Sequence, residues 1–430
     1  MRSTAAGAVG NVVEWYDFAV FGASATLLAA VLTPGGDNGL TGVFAVFAVS
    51  FVFRPLGAVF VGALADRVGR RGPLAATLLV MTVATAGIGL LPTWAALGSA
   101  TAFVLLVLRA AQGFSSGGEL VVSVAYLVEH ARPDRRGVRG GVHMATMAVG
   151  FAAGIGAVAV LQRVLGHETM TTWGWRVPFI LAVPLGLVGL YLRSRAAETP
   201  EFREPRAARR PLAPLAEAVK GHRATVAAGF LLAAGFASSF NLWFVYFPSR
   251  LVRDGTHDLA TALAGALLGL LALAVSAVAC GRLSDRWGRR PLLLLGTCSV
   301  IVLWLVAPAW LADGDVTTLL LADAAMGAAL GAFVLQSALA DRLPATVRVS
   351  GMAVTFGLAS ALVGGTAPLV ASLLSTSTDT AHVSRYALLW ALSASVAAAR
   401  WSGSTEVSEP GGRAGGPVSA SRDGVSLAEG

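Results

Sequence analysis

Charge is scarce in this chain. Asp, Glu, Lys and Arg together make up 13% of the 430 residues, about half the share usual in a soluble domain, while 55% are hydrophobic and the mean hydropathy is +0.70. That scarcity excludes the two or three soluble domains that the length alone would allow. Cysteine is nearly absent as well. Cys280 and Cys298 stand in or beside apolar runs with no metal-ligating spacing around them, which argues against a disulfide framework or a zinc centre and for small buried hydrophobes. The N-terminus lacks a basic stretch leading into a short apolar core and a cleavage site, so no removable signal peptide is expected. The formal charge of +8 is not gathered on one soluble face, as nucleic-acid binding requires. The basic residues lie between hydrophobic runs instead.

Long apolar runs are what the chain has in abundance. Twelve segments reach the length needed to cross a hydrocarbon layer about 30 Å thick: 12–32, 41–64, 73–91, 97–127, 141–164, 174–192, 224–248, 258–281, 291–311, 316–340, 351–374 and 384–401. The last, "YALLWALSASVAAAR", is the thinnest. With the N-terminus inside, 25 Lys and Arg fall in the inner segments and five in the outer ones, with Arg54 and Arg109 within spans. Basic residues near span ends are retained on the cytoplasmic side, so both termini are expected in the cytoplasm and the protein in the cell membrane. The charged, Pro-punctuated stretch 193–223 divides the spans six and six. "GALADRVGRR" (62–71) and "GRLSDRWGRR" (281–290) agree at seven of ten positions. The expected organisation is an all-α integral membrane protein. Two pseudo-symmetric six-helix bundles, 1–192 and 224–401, flank a central linker, 193–223, and a disordered tail follows over 402–430. Paired bundles of this kind are common in transporters, with a site at their interface.

A charge at the bilayer centre costs at least about 2.5–3.5 kcal/mol on insertion scales, so such a residue faces a partner or a watery cavity. Glu14, Asp17 and Phe21 in "GNVVEWYDFAVFG" fall at i, i+3 and i+7, one helical face; capping of the first helix is the plainer reading of the two carboxylates. In "LRAAQGFSSGGELVVS", Arg109, Gln112, Ser116, Glu119 and Ser123 fall within a stripe about 80° wide. A structural Arg–Glu lock is the alternative to a lined cavity there. Arg54 precedes Pro55, which opens its helix locally, and Asp323 stands alone in the tenth span. A carboxylate that alternates between an unpaired buried place and a guanidinium neighbour picks up and releases a proton.

Other signals are weaker. "GFSSG" (113–117) has the form of a nucleophile elbow, but its flanks are continuous apolar helix rather than strand, turn and helix, so it is read as close helix packing. Gly150 and Gly154 carry the same reading. "WGWR" (173–176) is expected to be an interfacial aromatic belt. His143 opens the fifth span, where a satisfied polar residue is favoured over a proton relay.

The paired G-x-L-x-D-R-x-G-R-R loops resemble the loop signature of the major facilitator superfamily, and Arg109, Gln112 and Gly113 resemble its fourth-helix R-x-x-Q-G pattern. More narrowly, "GNVVEWYDFAVFG", "FRPLGAVFVGALADRVGRR", "RAAQGFSSGGE", "WGWRVPFILAVPLGLVGLYLR" and "ETPEF" together resemble the metabolite:proton symporter family. That family includes carriers of 2-oxoglutarate, shikimate, citrate and proline or betaine. The resemblance covers residues 8–375. It implies the major facilitator fold and import of a small polar metabolite by proton symport. It also implies a cytoplasmic gate built from Asp66, Arg67, Arg70, Asp285, Arg286 and Arg289. Ile155 stands where drug exporters carry proline, and the tail lacks the heptads of the osmosensing proline/betaine branch.

The expected protein is therefore a secondary transporter and not an enzyme, importing an organic acid anion or, less favoured, a zwitterion. Arg109, Arg54, Gln112, Ser115, Ser116 and Tyr16 are expected to bind the cargo, and Glu14, Asp17, Glu119 and Asp323 to handle the proton. No cofactor, metal or nucleic acid is expected, and the protein is expected to act in the lipid bilayer as a monomer. An exporter of the same fold and a non-transporting receptor are the alternatives.

Overall fold

A chain in hydrocarbon must satisfy its backbone polar groups internally, and the apolar runs here do so as helices. The structure, a computed structural model, describes residues 2–34, 38–68, 71–129, 135–194, 220–312, 315–344, 347–375 and 381–401. Within these, side chains are described except at 2–9, 63, 65–68, 71, 119–129, 193–194, 307–312 and 349. The greater part of the expected linker, 195–219, and the expected tail, 402–430, lie outside the described residues.

Among the described residues every element is helical. The first six spans comprise α1 (Arg2–Ala23) with α2 (Ala25–Leu32), α3 (Gly39–Val68), α4 (Arg71–Gly89), α6 (Ser99–Glu129), α7 (Arg136–Thr172), and α8 (Val177–Ile180) with α9 (Ala182–Ser194); a short α5 (Trp94–Leu97) precedes α6. In the second half the seventh span joins α10 (Arg223–Asn241), a π-helical turn at Leu242–Tyr246 and α11 (Phe247–Arg253). It is followed by α12 (Leu259–Trp287), α13 (Arg289–Ala312) and a tenth span broken into α14 (Val316–Gly331) and α15 (Leu335–Arg342). The eleventh span joins α16 (Arg348–Ala359), a second π turn at Ser360–Gly364 and α17 (Ala367–Leu374), and α18 (Ala381–Ala399) closes the bundle.

Nine helices among the described residues are long and apolar enough to cross a membrane, and α1 with α2 makes a tenth across a 62° bend. The expected fourth and twelfth spans fall short of that apolarity. Arg109 and Gln112 dilute α6, and His382 and Arg385 dilute α18, yet both are continuous helices of 31 and 19 residues.

Helices approach most closely where glycine removes the side chain. A Cβ at Gly113 or Gly117 of α6 would overlap the carbonyls of Ser50 or Arg54 on α3, and one at Gly57 would overlap the Phe114 carbonyl. "GFSSG" is thus a backbone-to-backbone crossing that holds α3 and α6 in register. The two halves meet along two seams, α7 against α12 and α3 against the eleventh span. "WGWR" differs from the expected belt: Trp173 is exposed, whereas Trp175 is wholly buried with Arg176 stacked on its ring at 4.4 Å. Arg176 also donates to the Leu91 carbonyl at 3.1 Å, which draws the aromatic pair inward. Cys280 is buried and Cys298 is exposed.

Candidate functional site

Helix periodicity aims the polar residues of α1, α3, α4 and α6 at a common centre. Glu14, Asp17, Ser50, Arg54, Thr85, Arg109, Gln112, Ser115 and Ser116 are all at most 4% exposed. Arg109 donates through Nη1 to Gln112 Oε1 at 2.9 Å and through Nη2 to Ser50 Oγ at 3.0 Å. Gln112 Nε2 donates to Thr85 Oγ1 at 2.6 Å. This chain of side chains fixes the guanidinium plane across three helices. Ser116 Oγ donates to Glu14 Oε1, and Arg54 Nη2 stands 3.5 Å from the same carboxylate oxygen.

Aromatic rings enclose both guanidiniums. The Arg54 Cζ lies 4.3 Å from the ring centres of Phe18 and Phe51 and 5.6 Å from Trp15; the Arg109 Cζ lies 4.1 Å from Phe21, 5.2 Å from Phe18 and 5.3 Å from Phe47. At these separations a desolvated cation gains about 2 kcal/mol from a ring face. Hydrogen bonding stays incomplete, because the Nε atoms of Arg54 and Arg109 have no hydrogen-bond partner among the described residues, and the Asp17 carboxylate approaches the Thr85 side chain without a well-formed bond. Asp17 has Arg109 and Glu14 as its charged neighbours. Donors and acceptors left unused at a buried centre are costly. Phe240 of α10 covers this constellation from the other half, 6.3 Å from Trp15 and 4.9 Å from Phe151 between ring centres.

The halves also touch at both ends of the seams. At the end carrying the basic loops, Asp285 accepts the backbone N–H groups of Gly137 at 2.7 Å and Val138 at 2.9 Å, in the first turn of α7. Arg289 donates to Asp285 at 2.7 Å and to Asp341 at 2.8 Å, and Arg136 reaches across to Asp341 at 3.0 Å. His143 of α7 meets Gln336 at 3.0 Å in the same seam. At the far end Thr41 and Ser372 meet across the halves at 2.5 Å, and within the second half Tyr246 and Arg253 donate to Ser375 at 2.8 and 3.3 Å. The buried constellation is therefore enclosed from both directions.

Not every expected site residue joins it. Tyr16 points to the other side of α1, where its hydroxyl donates to the Pro178 carbonyl at 2.8 Å; that acceptor, 162 residues away, gives no local sequence signal. Asp323 lies in the second half, bonded by Trp243. Arg286 is exposed while its neighbour Arg289 carries the contacts. The side chains of Glu119, Asp66 and Arg67, and the whole of Arg70, lie outside the described residues. Sequence reasoning missed Ser50, Thr85, Arg136, Asp341 and the ring lining. Only the lining had a visible signal, the Phe44, Phe47 and Phe51 spacing on one helical face.

Residues 8–368 match the Major Facilitator Superfamily. The chain belongs to that superfamily. It is 33% identical over 408 residues to the glycine betaine/proline/ectoine/pipecolic acid transporter OusA of Dickeya dadantii, covering 90% of this chain and 80% of that one. It is 35% identical over 387 residues to the ectoine/proline transporter ProP of Corynebacterium glutamicum, covering 85% and 76%. Among solved structures, the fold matches a D-xylose-proton symporter with a TM-score of 0.73 at 18% identity, over 94% of this chain and 98% of that one. It also matches a partially occluded inward open form of the xylose transporter XylE from E. coli, at 0.71 and 17%, over 92% and 95%. As a superfamily member with these relatives, the protein is a multi-pass membrane transporter and not an enzyme.

Proposed function

We propose that this superfamily member imports a small zwitterion, a carboxylate joined to a cationic nitrogen as in glycine betaine or proline, together with a proton. The observation that carries the reading is the buried wall where Arg109 and Arg54 lie among Trp15, Phe18, Phe21, Phe47 and Phe51, beside the buried carboxylate of Asp17. A guanidinium binds a carboxylate through two parallel N–H bonds, and ring faces attract a cationic nitrogen, including a quaternary one such as that of glycine betaine, which has no N–H to give. The relatives named for betaine, proline and ectoine support this cargo over the organic acid anion expected from the sequence. When the cargo carboxylate takes the guanidinium, Asp17 and Glu14 lose part of their cationic company and a proton replaces it.

Alternating access then consists of releasing one end while the other stays closed. The Asp285, Arg289 and Asp341 cluster would be the cytoplasmic gate, since 25 basic residues gather on that side and such residues are retained inside. On this reading both termini are cytoplasmic and the protein works as a monomer in the cell membrane. The test uses the full chain in proteoliposomes with an imposed pH gradient. Labelled glycine betaine should accumulate, and a protonophore should abolish the accumulation. Gradient-driven accumulation of citrate or 2-oxoglutarate without betaine would overturn the cargo, and efflux with the same gradient would overturn the direction.

A further inference from the structure

The second half holds a carboxylate that the cargo wall does not use. Asp323 of α14 is 4% exposed, and among the described residues its one hydrogen bond comes from Trp243 Nε1 at 2.7 Å. That indole is fixed in turn by Trp304, whose ring lies 5.2 Å away at 80° and whose Nε1 donates to Ser239 at 3.1 Å. The second oxygen, Oδ2, rests on the bare backbone of α12, where a Cβ at Gly265 would overlap it. A cavity of about 20 Å³ runs from Asp323 and Trp243 past Leu319 to a mouth at His257 and Asp315. It has room for a water molecule. Asp315 caps α14: its hydrogen bond from the Thr318 backbone N–H holds its carboxyl below the ordinary carboxylate range, so the mouth keeps a negative charge at neutral pH.

Among the described residues no ion pair reaches this carboxylate. The stretches "NLWFVYF", "LATALAGALLGLLALAV", "GTCSVIVLWLV" and "VTTLLLADAAMGAALG" of the seventh span, α12, α13 and α14 carry no charged residue other than Asp323 itself, and Arg250, between the cavity-lining Pro248 and Leu251 of α11, is paired with Asp254. His257 and Asp315 at the mouth are the titratable groups that share its cavity. A bare charge in an apolar bundle is costly and a proton removes it.

We infer that Asp323 is a second proton-binding site, housed in the C-terminal bundle and loaded from the far end through the His257 and Asp315 mouth, independently of the arginine wall. It rests on the transport reading only for the statement that this proton travels with the cargo. Occupancy itself does not.

Infrared difference titration of the full chain in lipid, without substrate, tests it directly. A protonated carboxylic acid band is expected to titrate, to vanish in Asp323→Asn and to shift in Trp243→Phe, which removes the indole N–H. Leu319→Trp leaves Asp323 in place and fills the cavity, so after a pH jump the band should grow an order of magnitude more slowly. A difference spectrum in which Asp323→Asn removes no titrating carboxylic acid band, or an unchanged growth rate in a folded Leu319→Trp protein, overturns the inference. In proteoliposomes Asp323→Asn should lower the proton-to-cargo ratio by one, read from the reversal potential; an unchanged ratio overturns the coupling. Failure to accumulate any cargo would refute the function above, while the infrared result would still decide the site.

Discussion

Asp285→Asn isolates the closure at the basic-loop end. The carboxylate accepts two backbone N–H groups, at 2.7 and 2.9 Å, and one guanidinium bond at 2.7 Å. Oδ1 accepts both Gly137 and Arg289, so an asparagine oxygen in its place keeps those two as weaker neutral-acceptor bonds, while the amide presents a donor to the Val138 N–H. Hydrogen bonds to charged groups contribute about 1.5–3 kcal/mol each. Arg289 retains Ser284 and Asp341 as partners, so the net loss is about 2–4 kcal/mol for this end in its closed state. At 1.4 kcal/mol per decade that shifts the balance towards opening by roughly 30- to 700-fold. The measurement places a cysteine at Ser337, buried in α15 beside Gly140, in a protein whose Cys280 and Cys298 have been replaced by serine. An impermeant maleimide applied from the loop side should label it faster by that factor, up to saturation once the open state dominates. Equal labelling rates at equal folded yield would show that the Asp285 cluster does not hold this end shut.

Three further outcomes follow from the same geometry. Arg109→Lys keeps the charge but loses the planar fork that binds Gln112 and Ser50, and should abolish betaine accumulation at normal expression; uptake within twofold of wild type, about 0.4 kcal/mol, would remove Arg109 from the cargo wall. Asp17→Asn should leave cargo exchange across proteoliposomes running while accumulation driven by a pH gradient fails. Retained accumulation would place the proton elsewhere. Gly113→Ala drives a methyl into the Ser50 carbonyl, which costs about 1–3 kcal/mol by overpacking, whereas a Cβ at Gly62 meets nothing within 4 Å; thermal unfolding in detergent should separate the two variants, and equal midpoints would contradict the crossing.

The sequence carried the helices and much of their facing, because hydrophobic length and the 3.6-residue period are local properties. Arg109, Gln112 and Ser116 share a face by spacing alone, and the small residues of "GFSSG" announce a tight crossing. Partners are another matter. Ser50 lies 59 residues from Arg109, Asp341 lies 205 from Arg136, and Trp243 lies 80 from Asp323; periodicity names the side of a helix and says nothing of what stands opposite. The inward turn of Trp175 depends on Arg176 reaching Leu91, a contact set by tertiary packing. Tyr16 is among the expected binding residues, yet two positions along a helix is about 200° of rotation, which carries it away from Glu14.

The first, seventh and eleventh spans change their winding partway along: the first bends at Ser24, and the seventh and eleventh each loosen into one wide turn. All three joints precede the tips α2, α11 and α17, which end at the far face. Tyr246, Arg253 and Ser375 tie two of those tips together, and Val245 packs on Gly22 just below the third. A wide turn yields more readily than a regular one. On the proposed transport cycle these three short hinged pieces would form the outer lid, lifting while the long helices beneath them, and the Asp285 clasp at their other end, stay where they are.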